Sequence, residues 1–250
     1  MCQELILSWE DVKTKQWFPI GRLLKEQDVY SFSYVNGVNQ AKEKGFTSLA
    51  SMPDFNQKYY YDDIFPLFKN RILNKSRPDR EEFLSWLNIN PDNSGFKELA
   101  KTGGLKATDN LFLFPMPVKK NNQYILEFFS QGVSHLTKSS QTRIESLEKG
   151  EKLFFCTDLE NAQDKNAHIL RTNDPVGIVG YCPKYFVKDF KKLFDLSKES
   201  FSIKVKQVNK SAPEQLRLLC EITCNWHKDF SPFSEDKFAL INIDERRAND

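Results

Sequence analysis

Three residues near the end of the sequence have side chains that can bind a metal ion: Cys220, Cys224 and His227. Apolar and polar residues alternate from Leu216 to Trp226, which is typical of a β-strand with one buried face. The two cysteines would then lie about 13 Å apart, at roughly 3.3 Å per residue. Zinc requires each sulfur to lie within about 2.3 Å of one ion. We therefore expect buried core cysteines, no metal site and no cofactor.

The histidines do not complete a catalytic set. His135, His168 and His227 are the only ones in the sequence, and none belongs to a recognisable nucleophile–base motif. His168 falls on a short predicted strand, where packing or surface exposure is expected rather than catalysis. The sequence therefore predicts a protein that is not an enzyme.

A group of lysines accompanies a predicted amphipathic helix at 185–196, which has phenylalanines on its other face. The lysines are Lys184, Lys188, Lys191 and Lys192. Asp189 is the one acidic residue predicted to lie with these lysines. Lys204, Lys206 and Lys210 follow in the chain. Two interpretations stay open: a solvated helix face, or a patch that contacts phosphate groups.

The composition predicts a folded cytoplasmic protein. Of 250 residues, 40% are hydrophobic and 21 are phenylalanine, which is enough apolar surface for a core. No apolar run reaches the roughly 18 residues of a membrane span, and the N-terminal segment lacks the basic start of a secretory signal. The odd number of cysteines favours a reducing compartment. Because the net charge is only +2, nucleic-acid binding requires a local basic patch.

The stretch 157–186 combines a polar loop with two short predicted strands at 167–171 and 176–182, followed by a helix from Pro183. Strands are also predicted at 152–159 and, from alternating residues, at 201–208. The loop reads E-N-A-Q-D-K-N-A, and the second strand leads into V-G-Y-C-P-K-Y. These motifs resemble those of the HIRAN domain, E-N-x-x-D-x-N-A and V-G-Y-x-P-[KR]-Y. The resemblance implies a small OB-like β-barrel that binds single-stranded DNA, in the best-described case at a free 3′ end.

The resemblance also implies which residues contact the DNA. Asn161 and Asp164 match family residues that hold the 3′-terminal nucleoside, although both could instead cap the loop. Gln163 stands where the family has a base-stacking aromatic residue. The second family site, G-[VL]-R-[YH], ends here in Ser134 and His135, so a serine replaces the arginine. Because a base stack is worth roughly 1–3 kcal/mol, we expect weaker end recognition than in the family.

The first half of the chain predicts a mixed α/β module. Strands are predicted at 5–7, 17–24, 29–34 and 110–114, and helices at 38–44, 64–73, from 77 and at 96–101. In the helix from 77, Arg80, Glu81 and Glu82 are predicted to face water. The motifs G-R-L-L, S-L-A-S-M-P and I-F-P-L-F-K-N-R-I-L resemble the N-terminal subdomain of HipA-type kinases. Because no kinase core follows, the resemblance implies a piece that binds a protein partner.

The Pro- and Asn-rich segment 115–122 predicts a linker. The predicted organisation is therefore an α+β protein: a HipA-like module at 1–116, then a HIRAN-like barrel with one amphipathic helix at 117–250. The leading hypothesis is non-enzymatic binding of single-stranded or 3′-end-bearing DNA. The alternative is an antitoxin-like adaptor that binds a HipA-type kinase core or another partner through residues 1–116.

Overall fold

The computed structural model describes residues 3–92, 94–162 and 164–241. The chain divides into two compact units. The first unit comprises Met1–Arg77, Asp92–Met116 and Phe233–Asp250, and the second comprises Pro78–Pro91 and Pro117–Pro232. No helix in the described ranges is long and apolar enough to cross a membrane.

The described residues form a mixture of helices and strands. The α-helices are α1 (Gly37–Glu43), α2 (Pro66–Lys69), α3 (Arg80–Trp86), α4 (Ser94–Thr102), α5 (Lys138–Glu145) and α6 (Val187–Leu196). The strands are β1 (Gln3–Glu10), β2 (Trp17–Glu26), β3 (Val29–Tyr34), β4 (Tyr59–Tyr61), β5 (Leu111–Pro115), β6 (Lys119–Lys120), β7 (Gln123–Phe129), β8 (Lys152–Thr157), β9 (His168–Arg171), β10 (Ile178–Tyr181), β11 (Ser202–Val208) and β12 (Leu218–Asn225). The α+β prediction is confirmed.

The first unit contains an antiparallel sheet in the order β4-β3-β2-β1-β5. Its core is rich in aromatic rings, including Phe32 and Phe68, which are both fully buried. The apolar stripe at 64–73 predicted one longer helix, but α2 ends at Lys69. Beyond it, the backbone N–H of Leu73 donates to the Glu98 carboxylate. This side-chain acceptor takes the place of a helical carbonyl.

The second unit contains a seven-stranded antiparallel sheet in the order β10-β9-β8-β11-β12-β7-β6. Gln131, just beyond β7, forms an isolated bridge with Tyr181 of β10. The two residues exchange backbone hydrogen bonds of 2.9 Å each. The bridge joins β10, at one edge of the sheet, to the chain leaving β7, so the sheet curls back on itself.

The predicted linker at 115–122 is partly wrong. Lys119 and Lys120 form β6, which pairs with the start of β7. The turn between them is Asn121-Asn122, and both residues have positive φ, 49° and 60°. Asparagine tolerates this left-handed conformation, and two such residues suit a tight hairpin turn. Polar residues that suggested a linker therefore fold as a hairpin.

Helix α3 belongs to the second unit, although it precedes β5 in sequence. Its Leu84 joins Leu87 and Ile89 in a small core with Phe129 and Leu219. The compact units share the predicted boundary between Met116 and Pro117. Residues 78–91 nevertheless lie in the second unit, because their apolar side chains are buried against β7 and β12. Residues from 233 onward are assigned to the first unit instead.

Polar contacts also hold the C-terminal end of α3. Asn209 donates from Nδ2 to the Trp86 carbonyl at 2.9 Å, and Gln207 donates to the Ser85 carbonyl at 2.9 Å. The Trp86 carbonyl is one that the helix end leaves without a helical partner, whereas the Ser85 carbonyl also accepts from the Asn88 N–H at 3.0 Å. Arg80, which the pattern placed in water, is only 7% exposed.

Helix α6 covers the inner face of the second sheet. Phe190 is fully buried and contacts the rings of Tyr124, Phe128 and Phe155. Cys220 lies on the inner face of β12, as the alternation predicted. Cys220 and Cys224 are both buried free thiols, and no metal-binding cluster of His, Cys, Asp or Glu occurs in the described ranges. Cys2 lies outside those ranges.

Candidate nucleic-acid interface

The 158–167 loop joins β8 to β9 and is held by its own side chains. Asp158 accepts from the Glu160 backbone N–H at 3.2 Å and from Asn161 Nδ2 at 3.3 Å. Asn161 Oδ1 accepts from the Asp164 N–H at 2.8 Å. Asp164 Oδ1 in turn accepts from the Asn166 N–H at 2.9 Å. Asn161 and Asp164 therefore both stabilise turns inside the loop.

Tyr181 anchors this loop to the sheet. Its hydroxyl donates to Asp158 Oδ2 at 2.9 Å. Burial raises the pKa of Tyr181, and the neighbouring Asp158 carboxylate raises it further because it disfavours a second negative charge. The phenol thus remains a donor at neutral pH, and Asp158 has three hydrogen-bond donors around it.

Tyr181 also contacts the 132–136 turn, the second part of the candidate interface. A Cβ atom at Gly132 would lie 3.2 Å from Tyr181 Cδ2, and Gly132 has a φ of 70°. The following residues form a 3-10 turn in which Val133 is buried, while Ser134 and His135 are exposed. One tyrosine therefore brings together the two predicted contact segments.

Gly180 lets β10 approach the end of β7. Its φ is 125°, and a Cβ atom there would lie 1.9 Å from Ser130 Oγ. Ser130 is buried and donates to the Val179 carbonyl at 2.8 Å. Only glycine fits this position, which explains the glycine of the V-G-Y motif.

A basic side chain lies beside the loop. Lys184 Nζ is 4.0 Å from Asp164 Oδ2, and the lysine side chain is 61% exposed. An exposed pair at this distance contributes little to stability. Lys184 therefore remains available to a ligand. Gln163, the predicted stacking position, lies outside the described residues.

The lysines of α6 lie on its outer face, as predicted. Lys188, Lys191 and Lys192 are exposed, and Lys192 Nζ lies 5.9 Å from the Phe230 ring centroid. The sequence pattern placed the wrong acidic residue on this face. Asp189 is only 7% exposed, whereas the exposed acid of this helix is Asp195.

The lysines of β11 differ from one another. Lys206 Nζ lies 2.5 Å from Glu221 and 3.1 Å from Glu127. The hydrogen bond to Glu221 raises the pKa of Lys206, with a smaller contribution from Glu127. This lysine is already neutralised, while Lys204 and Lys210 are exposed.

His168 has a structural role. It is 5% exposed, stacks on Phe155 with ring centroids 4.3 Å apart, and contacts the Asn166 carbonyl at 2.8 Å through Nδ1. It therefore packs between the loop and the sheet, in line with the packing expectation.

Three residues of the candidate interface were not identified from the sequence. Asp158 and Tyr181 hold the loop, and Tyr181 could have been suspected because it belongs to the V-G-Y motif. Leu159 was assigned to a strand, but β8 ends at Thr157 and Leu159 is 92% exposed. An almost fully exposed leucine in the loop offers an apolar contact to a ligand.

Residues 123–227 match the family model of the HIRAN domain, and the HIRAN prediction is confirmed for this part of the chain. No curated protein matches the chain. The HipA resemblance of the first half and the OB-like character of the barrel stay predictions.

Two solved structures match at low identity. The HIRAN domain of human HLTF is 18% identical, with a TM-score of 0.31, over 40% of this chain and 74% of that one. A protein from Lactobacillus plantarum is 15% identical, with a TM-score of 0.31, over 41% of this chain and 96% of that one.

Proposed function

We propose that this protein binds single-stranded DNA without catalysing a reaction, and that it contacts a free 3′ end through the 158–167 loop and the 132–136 turn. The match to the HIRAN domain carries the proposal, because that family binds nucleic acid. The geometry supports it, since Tyr181 brings both predicted contact segments to one place.

Electrostatics favour the same place. Lys184 lies beside the loop, and the α6 lysines continue from it along the outer face of the helix. Exposed lysines attract phosphate groups and release counterions on binding, which makes the affinity depend on salt. DNA binding is therefore expected to weaken steeply as salt rises.

The terminal nucleoside has defined partners in this proposal. Asn161 and Asp164 hold the loop in shape, and Asp164 Oδ2 faces Lys184 rather than a backbone donor. A carboxylate oxygen at this position can accept a hydrogen bond from a 3′ hydroxyl. Ser134 and His135 are exposed donors on the neighbouring turn.

The test is fluorescence anisotropy with oligonucleotides whose 3′ ends are either free or blocked. Changing Lys188, Lys191 and Lys192 together to Glu should weaken binding at low salt by at least about tenfold, since each lost phosphate contact removes counterion release. Exposed substitutions away from packing change stability by about 0.5 kcal/mol or less each, so the variant should stay folded. Unchanged affinity would show that the α6 face is merely solvated.

The matched control changes three exposed lysines of the first unit, Lys13, Lys75 and Lys106, to Glu. It alters the total charge equally and should leave binding much closer to the wild type. In parallel, Asp164→Ala should abolish the preference for free over blocked ends. If the wild-type protein binds DNA with no end preference, the proposed contact with a free 3′ end is wrong, and only binding to the DNA backbone remains.

A further inference from the structure

The outer face of the second sheet carries a cluster of cations around one aromatic ring. Phe154 lies on β8, with its ring 5.3 Å from Lys152 Nζ and 4.8 Å from Arg171 Cζ. Phe154 pairs with Arg171 across β8 and β9, and Lys152 pairs with Lys204 across β8 and β11. The four side chains therefore occupy three adjacent strands.

This cluster lies on the solvent side of the sheet. Leu153, Ile203 and Val205 are almost fully buried and alternate with the cluster residues, so the two sets point to opposite faces. Lys152 and Lys204 are exposed, and the ring of Phe154 is half-buried. The Lys152 side chain over the ring is long and exposed, so it can move aside for a ligand.

The charges of the cluster are not neutralised by the protein. In the described ranges, neither Lys152, Lys204 nor Arg171 forms an ion pair with a carboxylate. Lys206, on the same strand as Lys204, differs from these residues because it forms ion pairs with Glu221 and Glu127. Like charges directly opposite in a sheet destabilise it. The Lys152–Lys204 pair therefore costs stability that an anionic ligand would recover.

We infer that this face is a second contact surface for single-stranded nucleic acid, with Phe154 as a stacking platform for a base and Lys152, Lys204 and Arg171 as phosphate contacts. Positive charge around an aromatic ring is the combination that binds single strands without regard to sequence. A single strand has phosphates that can contact the three cations and bases that can stack on the Phe154 ring.

The surface deepens the proposed function and rests on it. Phe154 lies three residues before Thr157, the last residue of β8, which is about 10 Å at roughly 3.3 Å per residue. The 158–167 loop begins immediately beyond. A strand whose 3′ end lies at the loop can therefore extend along the sheet to Phe154, so the surface should matter only for longer strands.

The experiment compares wild type with the double variant Phe154→Leu/Arg171→Gln. The probes are 3′-free oligothymidylates of about 4 and about 15 nucleotides, which cover the range of site sizes known for OB folds. The variant should bind the longer oligonucleotide at least about fivefold more weakly, as expected for one lost base stack. Its affinity for the shorter one and its free-to-blocked end ratio should not change. Equal loss on both lengths, or no loss on the longer, would overturn the inference.

A second variant protects the test against misfolding. Lys152→Gln/Lys204→Gln removes a repulsive pair, so its stability should equal or exceed that of wild type, while its salt dependence on the longer oligonucleotide should become less steep. Lys13→Gln/Lys106→Gln is the charge-matched control and should leave the slope unchanged. An unchanged slope in Lys152→Gln/Lys204→Gln would count against the surface. Failure of wild type to bind either length would instead refute the proposed function itself.

Discussion

The two segments that Tyr181 joins are stabilised in different ways. In the 158–167 loop, the side chains of Asp158, Asn161 and Asp164 form the hydrogen bonds that hold the backbone. In the 132–136 turn, backbone bonds do so, with His135 N–H donating to the Gly132 carbonyl at 3.0 Å. The Gln141 side chain, outside the turn, adds longer bonds to the Val133 and Leu136 carbonyls at 3.4 and 3.5 Å. The loop is therefore held in shape by side-chain oxygens that already accept hydrogen bonds within the loop.

The turn instead keeps its side chains available. In the described part of the chain, neither Ser134 nor His135 makes a side-chain hydrogen bond. Substitutions in the loop should therefore change stability and binding together, whereas substitutions in the turn should change binding alone.

The largest effect is expected where both segments meet the sheet. Gly180→Ala would place a Cβ atom 1.9 Å from Ser130 Oγ at a φ of 125°. Strain of about 1–3 kcal/mol adds to an overpacking cost of similar size. Urea unfolding should show a loss of about 3 kcal/mol or more.

Gly150→Ala is its control, because Gly150 has a φ of 90° but no atom within 4 Å of the added Cβ. It should cost only the backbone strain, about 1–2 kcal/mol. Equal losses in the two variants would mean that Ser130 can move away, and that the closure of β10 onto β7 is not tightly packed.

A smaller effect is expected for Tyr181→Phe, which removes the donor to Asp158 but keeps the ring beside Gly132. The loss should be about 1.5–3 kcal/mol, as for hydrogen bonds to charged groups, with DNA affinity reduced through the 158–167 loop. Because the folded pKa of Tyr181 is raised, its stabilising contribution is complete below the unfolded pKa, near 10, and declines as pH rises through the folded value.

Unfolding measured at neutral pH and again above about pH 10 separates these contributions. Wild type should lose stability between the two, and Tyr181→Phe should lose less. A variant as stable as wild type at neutral pH would show that the loop does not depend on this bond.

The smallest effect on stability is expected for Ser134→Arg in the exposed turn. It should change unfolding by no more than about 0.5 kcal/mol yet tighten binding of DNA, since a charged phosphate contact is worth about 1.5–3 kcal/mol. Anisotropy with wild type and variant side by side measures the gain. Ser134→Gln is the neutral control, and an equal gain there would exclude a charge effect.

Local patterns predicted the secondary structure well. The alternation at 29–34 and 201–208 predicted β3 and β11 within one residue. In β11 the alternation reflects one buried face, whereas the serines that alternate with the aromatic residues of β3 are buried as well. The buried phenylalanine face of α6 was predicted equally well. At the candidate site, the motif pointed to Asn161 and Asp164, which both hydrogen-bond the loop backbone, while Asp158 was missed because its partner Tyr181 is distant in sequence.

Non-local burial explains the other differences. The sequence around Leu84, Leu87 and Ile89 does not indicate that they pack against Phe129 and Leu219. Polar Asn121 and Asn122 read as linker residues because composition does not distinguish a flexible segment from a two-residue hairpin turn. Arg80 appeared solvated because its helix was considered alone.

The placement of α3 has a consequence for folding during synthesis. Leu84 and Leu87 leave the ribosome well before β12, which carries Leu219 and helps to bury them. Contacts this distant in sequence must close a long loop before they stabilise anything, and such contacts form slowly. Until β12 is made, Leu84 and Leu87 lack Leu219 as a partner, and an incompletely covered apolar surface of this kind is what chaperones recognise.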